Sequence, residues 1–149
     1  GVFDGKDMAR FLRMGASGVQ MATRFVCTHE CDVAMEYKEA YLKSSKEDII
    51  VIQSPVGLPL RVIKNDFVHR ITHGTRVPFR CEYKCLATCD PNDSNYCIAQ
   101  ALVNAYRGKM DSGFATCGAN AYRITKLMSV HDLIQEIVEE CARELKKSK

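Results

Sequence analysis

Residues 15–25 read Gly-Ala-Ser-Gly-Val-Gln-Met-Ala-Thr-Arg-Phe, and this stretch decides the fold that we expect for the chain. Its middle part, residues 18–21, is short and mostly apolar. Such a run predicts a strand that is covered on both faces, as the strands of parallel sheets are. The stretch therefore favours an α/β protein over an all-helical one.

A helix is predicted directly before this strand. Asp4 is a suitable N-cap, and Met8, Phe11 and Leu12 recur at the spacing that places them on one helix face. Gly15 can adopt the left-handed conformation that ends a helix. A helix, a short turn and a buried strand together form the repeating half of a βα unit.

The turn after the predicted strand has the composition of an anion site. Ala22 and Thr23 are small, so backbone N–H groups at the carboxyl end of the strand can approach a phosphate. In a (β/α)₈ barrel, phosphate groups bind at the turns after the seventh and eighth strands. In such a barrel, Gly1 would belong to the turn after the preceding strand.

Composition narrows the class of protein. The 149 residues are 46% hydrophobic and 26% charged, which excludes a disordered tail, a collagen-like repeat and a coiled-coil rod. The net charge of +3 gives no reason to expect a nucleic acid or an acidic membrane as partner. The eight cysteines are too few for a disulfide scaffold, so we expect reduced thiols and a cytoplasmic location.

The rest of the chain divides into recognisable elements. We expect three segments, 1–26, 27–75 and 76–149, of which the last two form a mixed, mostly helical extension. The second segment carries a helix at 34–43, a loose hairpin of strands 49–52 and 60–63, and a helix at 65–73 that Gly74 ends. The third carries a helix from Ile98 to Gly108 and an amphipathic helix that Ser129 caps, with Val130, Leu133, Ile134, Ile137, Val138, Cys141 and Leu145 on one face.

Two blocks of the sequence resemble a known family. Residues 1–5 (Gly-Val-Phe-Asp-Gly) and 14–25 resemble the carboxyl-terminal part of the nitronate monooxygenases, formerly called 2-nitropropane dioxygenases. That family includes the flavin-dependent enoyl-ACP reductases. The resemblance continues through Glu30 and residues 37–40, 57–61, 64–65 and 118–121. Since the chain begins at Gly1 and not at methionine, we expect it to be the carboxyl-terminal fragment of a longer protein.

The resemblance implies a cofactor and the residues that hold it. It implies the end of a (β/α)₈ TIM barrel, with its last helix and strand, and FMN on the carboxyl-terminal face of the strands. Gly1, Gln20, Met21, Ala22 and Thr23 would then contribute to the flavin site. The family usually has glycine where this chain has Ala22, and alanine would be strained there if the backbone φ had to be positive.

The resemblance also implies an activity. The expected function is that of an FMN-dependent oxidoreductase acting on a nitronate, and the alternative is an enoyl-ACP reductase that uses NAD(P)H and an enoyl thioester. The family's catalytic histidine would lie upstream of this chain, so we assign no catalytic residue here and expect the chain alone to be inactive. His29, His69, His73 and His131 do not match that position, and we predict them at the surface.

The cysteines suggest a function of another class. Cys81, Cys85, Cys89 and Cys97 lie within 17 positions of an irregular stretch, where four thiolates could close around zinc or an iron–sulfur cluster. A non-catalytic metal-binding module is therefore a further hypothesis. The alternative is that some of these side chains are small buried hydrophobes, as we expect for Cys117 and Cys141.

Overall fold

The computed structural model describes residues 1–82 and 84–147. Six α-helices and two strands follow one another along this part of the chain, together with two short 3-10 helices, Lys46–Asp48 and Ala121–Arg123. The α-helices and strands are α1 (Gly5–Arg13), α2 (Thr23–Val26), α3 (Met35–Lys43), β1 (Ile49–Gln53), β2 (Pro59–Ile63), α4 (Asp66–Thr72), α5 (Ile98–Tyr106) and α6 (Val130–Lys146). The predicted division into segments 1–26, 27–75 and 76–149 stays a prediction.

The predicted hairpin is confirmed. Strands β1 and β2 pair antiparallel, with Ile49 opposite Ile63 and Gln53 opposite Pro59. A third stretch of chain joins the free edge of β2, because Thr116 forms an isolated bridge to Val62. This pairing brings residues near position 116 beside the hairpin.

The two faces of the hairpin pack against different hydrophobic clusters. Side chains alternate between the faces of a strand, so Val62 and Ile63 point in opposite directions. The first cluster contains Ile52, Val62, Phe67, Val68, Ile71, Tyr96, Ala101 and Phe114. The second contains Phe3, Cys27, Tyr41, Ile63, Ala115, Ala121 and Ile124. The hairpin thus separates the first cluster, on the α4–α5 side, from the second cluster, on the α3 side.

Helix α1 forms as predicted but buries a different face. Asp4 caps it by accepting a hydrogen bond from Asp7 N. Its buried residues are Gly5 and Ala9, whereas the predicted apolar positions are only partly buried. The reason is that α1 packs on α6, and two small residues four apart let the helix backbones approach closely.

The predicted buried strand at residues 18–21 is not present. Within the part of the chain that the structure describes, the one sheet is the two-stranded hairpin, so segment 18–21 has no strand partner there. Gly18 and Gln20 are exposed, and Val19 and Met21 are partly buried. A parallel strand is defined by its neighbours, and this stretch has none within the described residues.

Helix α6 also differs from its predicted apolar face. Ser129 caps it as predicted, and Leu133, Ile137 and Cys141 are buried. Ile134 and Val138, which belong to the same predicted face, are 48% and 53% exposed.

No helix among the described residues is long and apolar enough to cross a membrane.

An ion-pair cluster at the start of α1 makes the free energy of unfolding depend on pH in the acid range. Partial burial acts to raise the pKa of Asp4, but hydrogen bonds from Asp7 N and Arg123 outweigh it and lower that pKa below 3.8. Arg123 pairs with Asp4, and its Nη1 lies 3.5 Å from Asp7 Oδ2. A carboxylate with a lowered pKa stabilises the fold above its ordinary pKa, and that contribution is lost as the pH falls.

We therefore expect Asp4→Asn to make the free energy of unfolding less dependent on pH in the acid range. Asparagine keeps the helix cap but removes the charge, so the variant is less stable than the wild type at pH 7 and converges with it below the lowered pKa of Asp4. Denaturant unfolding between pH 7 and pH 2 measures this difference. Asp93→Asn, at an exposed loop position, is the control. A difference that does not depend on pH would contradict the prediction.

Candidate functional site

The turn that was predicted to bind phosphate opens the short helix α2. Ala22 is the N-cap residue of α2, and no side chain caps this helix start. The backbone φ of Ala22 is −126°, outside the left-handed region that favours glycine. Alanine therefore replaces the family's usual glycine here without backbone strain, and its N–H can still donate to an anion.

A single loop joins the two halves of the predicted flavin site. Gly118 N donates a hydrogen bond to Thr23 Oγ1 at 2.8 Å, and Asn120 Nδ2 donates to Gly1 O at 3.0 Å. Gly1 and Thr23 are thus held by the same four-residue turn, 118–121. An added Cβ at position 118 would lie 2.9 Å from Thr23 Oγ1, so the Thr23 side chain would have to move.

The other two predicted flavin residues face a different cavity. Gln20 and Met21 line an apolar cavity of about 350 Å³ together with Phe25 and Ile137. Thr23 instead lines a neighbouring cavity. The structure therefore brings Gly1, Ala22 and Thr23 around the 118–121 turn, and places Gln20 and Met21 on the α6 side of the same segment.

The cavity beside Ala22 and Thr23 measures about 430 Å³. Two tyrosines of α3, one helical turn apart, line this cavity and bind the backbone N–H and C=O of Thr116. Thr116 N donates to Tyr37 Oη at 3.2 Å, and the buried Tyr41 hydroxyl donates to Thr116 O. These bonds place the backbone of residue 116 between α3 and β2, next to the proposed phosphate turn.

Charge in this cavity comes from one side chain. Arg61, on β2, is exposed and is the one charged residue among those that line it. Burial raises the pKa of the Cys117 thiol to about 11, although Arg61 acts to lower it. Burial also raises the pKa of Tyr41. Both groups are therefore neutral near pH 7, and the cavity carries the positive charge of Arg61.

These residues fit the phosphate end of FMN. Ala22 is exposed at an uncapped helix start, and its backbone conformation is relaxed. Backbone N–H groups at such a position suit a phosphate. Thr23 differs from the prediction in one respect, because its hydroxyl oxygen already accepts the hydrogen bond from Gly118 N.

The histidines lie at the surface, as predicted. His29, His69, His73 and His131 are all exposed. His69 and His73 stack with ring centroids 4.1 Å apart, and a hydrogen bond of 2.8 Å joins His73 Nδ1 to His69 O. Their i,i+4 spacing at the end of α4 explains this pair without a catalytic role.

The structure does not support the predicted zinc or iron–sulfur site. Cys81, Cys85, Cys89 and Cys97 line one cavity of about 390 Å³. However, among the described residues no three His, Cys, Asp or Glu side chains form a group that could hold a metal ion. Cys97 is the buried N-cap residue of α5, while Cys85 is exposed, so the four thiols occupy different environments.

The remaining cysteines are also free thiols. Cys141 is buried in the α1–α6 contact, as predicted, whereas Cys117 is only partly buried because it lines the cavity described above. Burial raises the pKa of Cys27 to about 11. Cys27 and Cys117 are therefore protonated near pH 7 and are poor nucleophiles.

Sequence reasoning missed two side chains at the candidate site. Asn120, which donates to Gly1 O, belongs to the 118–121 turn, and there the sequence indicates only the family resemblance. Arg61 likewise lies in the block 57–61, which indicates only that resemblance. The available signal was a glycine-containing turn with a polar residue two positions later, a pattern that also occurs in ordinary loops.

Comparisons with known proteins agree on one family. Residues 1–140 match the family described as "Nitronate monooxygenase". A probable nitronate monooxygenase of Staphylococcus saprophyticus is 29% identical over 145 residues, which are 94% of this chain and 37% of that protein. A (3aS,4S,5R,7aS)-5-hydroxy-7a-methyl-1-oxo-octahydro-1H-indene-4-carboxyl-CoA dehydrogenase of Rhodococcus jostii is 38% identical over 73 residues, or 49% of this chain and 21% of that protein.

A solved structure has a similar fold. FabK from Thermotoga maritima superposes with a TM-score of 0.78 and 29% identity, covering 99% of this chain and 44% of FabK. The chain thus spans less than half the length of these similar proteins. The predicted family is confirmed by the family match, the curated relatives and the structural similarity together, and the chain belongs to the nitronate monooxygenase family.

Proposed function

We propose that this chain forms part of an FMN-dependent oxidoreductase of the nitronate monooxygenase type. The observation that carries the proposal is the 118–121 turn, which binds Gly1 through Asn120 and Thr23 through Gly118. This turn joins the ends of the two segments to which the family resemblance assigns the flavin phosphate. The rest of the barrel and the residues that act on substrate are part of the proposal and are not assigned to this chain.

In this proposal the chain binds and orients the cofactor. When bound, FMN supplies the acceptor of the electrons that leave the substrate. The Ala22 N–H, at an uncapped helix start, donates to the phosphate, and Gly1 contributes to the same site. Thr23 keeps α2 in place by accepting the hydrogen bond from Gly118 N. The expected reaction is oxidation of a small nitronate.

A second candidate is the flavin-dependent reduction of an enoyl thioester with NAD(P)H as the reductant. It is favoured by the similarity to FabK over 99% of this chain and by the relative whose name specifies a carboxyl-CoA substrate. The two activities share the flavin and differ in the reductant. Turnover that strictly requires NAD(P)H would favour the reductase, and turnover of a nitronate with oxygen alone would favour the monooxygenase.

We expect Thr23→Leu to lower FMN occupancy by roughly ten-fold or more, since leucine blocks the approach of the phosphate and cannot accept the Gly118 hydrogen bond. Flavin absorbance per protein after desalting of the full-length protein measures occupancy. Thr23→Ser keeps the hydroxyl and is the matched control, with occupancy close to that of the wild type. Unchanged flavin content in Thr23→Leu would remove this turn from the cofactor site.

A further inference from the structure

We propose that a cavity of about 740 Å³ beside β1 binds an amino alcohol, that is, a small molecule with an ammonium group at one end and a hydroxyl group at the other. The cavity is lined by β1, by the end of α4 and by part of the segment 88–96. It shares no lining residue with the cavity at Ala22 and Thr23. The proposal therefore does not depend on the flavin site or on the proposed function.

Two buried hydroxyl groups without partners belong to the wall of this cavity. Ser54 and Tyr96 both line it and are only 7% and 4% exposed. Within the described residues, the buried side-chain polar atoms without a hydrogen-bond partner are these two hydroxyl oxygens and Arg24 Nε. An unpaired buried polar group costs about 1–3 kcal/mol, so two of them in one cavity wall point to a ligand that pairs with them.

The fold directs both hydroxyl groups to the same region. Ser54 follows Ile52 by two residues and both are buried, so the two side chains lie on one face of the hairpin. Ile52 belongs to the first hydrophobic cluster, which also contains Tyr96. The Tyr96 ring packs edge-on against Phe67 and Phe114, at centroid distances of 5.8 and 5.9 Å. Burial raises the pKa of Tyr96 to about 12, so near pH 7 its neutral hydroxyl can donate and accept.

The loop before α5 gives the cavity its negative charge. Asp90 and Asp93 line it and are exposed, and among the described lining residues there is no lysine, arginine or histidine. Asp90 is oriented by the hydrogen bond of 2.8 Å that its Oδ1 accepts from Asn92 N. The chain as a whole has a net charge of +3, so this acidic cavity differs from the average surface. An ammonium group is the charge that complements it.

The edge of β1 adds a backbone acceptor. Cys117 N donates to Arg61 O at 3.1 Å, so the backbone groups of Arg61 point away from β1. Val51 lies opposite Arg61 in the antiparallel pair, and its N–H and C=O therefore point to the other edge of the hairpin. Among the described residues no strand pairs with that edge. Val51 also lines the cavity, so its carbonyl oxygen is available to a ligand with N–H donors.

Together these features select an amino alcohol over simpler ligands. Ile50, Pro55 and Ile71 give the same cavity apolar surface, which suits a short aliphatic link between two polar ends. An amine without a hydroxyl would leave the hydroxyls of Ser54 and Tyr96 unpaired. A neutral diol would leave the carboxylates without a counter-charge.

Three probes of equal length separate these features. The probe 4-amino-1-butanol has both polar ends, pentylamine lacks the hydroxyl, and 1,4-butanediol lacks the charge. Calorimetric titration of the full-length protein measures the affinity for each probe. The variants are Asp93→Asn and Tyr96→Phe, and the matched control is Asp111→Asn, an exposed aspartate that does not line the cavity.

We expect 4-amino-1-butanol to bind the wild type about ten-fold more tightly than either other probe, because only it pairs with the carboxylates and with the buried hydroxyls. Asp93→Asn should weaken its binding by about ten-fold, and Asp111→Asn should not change it. Tyr96→Phe should reduce its affinity to that of pentylamine. Equal affinity of the wild type for 4-amino-1-butanol and either other probe would overturn the proposal, and so would the absence of binding.

Chemical denaturation of the unliganded protein supplies a second test. Since the Tyr96 hydroxyl has no partner, Tyr96→Phe should leave the free energy of unfolding unchanged or raise it. Addition of 4-amino-1-butanol should then stabilise the wild type more than the variant. A variant that is less stable than the wild type without any probe would mean that the hydroxyl is already paired, and this result would also overturn the proposal.

Discussion

Gly5→Ala is expected to destabilise the protein by about 3 kcal/mol, at the upper end of the usual cost of overpacking a tight contact. A Cβ at position 5 would lie 2.5 Å from Cys141 N and 2.6 Å from Glu140 Cβ, so the backbone of α6 would have to move. The shift would also disturb the hydrogen bond of 2.8 Å that Gly5 N donates to Glu140 Oε2. Chemical denaturation measures the loss.

Gly18→Ala is the matched control for this prediction. An added Cβ at position 18 meets no atom within 4 Å, and its φ lies outside the left-handed region. The same substitution should therefore change the free energy of unfolding by less than about 0.5 kcal/mol. A similar loss at positions 5 and 18 would mean that the close packing of α1 on α6 does not limit stability.

Lys38→Met is the second substitution with a large expected effect, a loss of about 3 kcal/mol, because it leaves one buried and one partly buried carbonyl group without donors. Lys38 is only 7% exposed, and its ammonium group donates to Thr28 O at 2.6 Å and to Cys31 O at 2.7 Å. Methionine fills a similar volume, so the expected loss comes from the missing hydrogen bonds. The free energy of unfolding in urea tests this value.

Lys43→Met tests the same chemical change on the same helix. Lys43 is exposed and pairs with Glu39 at 2.6 Å, one turn earlier in α3. Exposed i,i+4 pairs contribute only about 0.3–0.5 kcal/mol, so this variant should be close to the wild type in stability. If Lys38→Met were as mild as Lys43→Met, the loop 28–31 would not depend on the buried ammonium group.

The two hydrogen bonds of Lys38 also bear on the proposed function. Lys38 ties the loop after α2 to α3, and α3 carries Tyr37 and Tyr41, which hold the backbone of Thr116. Residues 116–118 in turn reach Thr23 through Gly118 N. The turn that we propose to bind the cofactor is therefore supported by a chain of hydrogen bonds from elements far apart in sequence. Under this proposal, variants that loosen the turn should lower flavin occupancy together with stability.

Family membership was predictable because it depends on a contiguous block. Residues 14–25 contain enough consecutive matches to establish the resemblance, and the family match over residues 1–140 confirms it. The same block led to a wrong structural prediction, namely a strand at residues 18–21. Periodicity indicates what a segment can form, but a strand also needs partners, and the described residues provide none for it.

The sequence by itself determined the elements whose signals are local. Asp4, Asn65 and Ser129 each accept a hydrogen bond from the backbone N–H three residues later, which is what starts α1, α4 and α6. Gly15 and Gly74 adopt positive φ values where these residues were expected to end helices. Such signals act within one turn of chain, so composition and spacing are sufficient to find them.

Only the tertiary structure decided which surfaces meet. The buried face of α1 is set by Gly5 against α6, more than a hundred residues away, and not by its larger apolar side chains. Gly1 and Thr23 are bound by one turn because Asn120 and Gly118 reach them across similar separations. Contacts of this kind depend on the joint packing of several elements, so no periodicity within a single segment contains them.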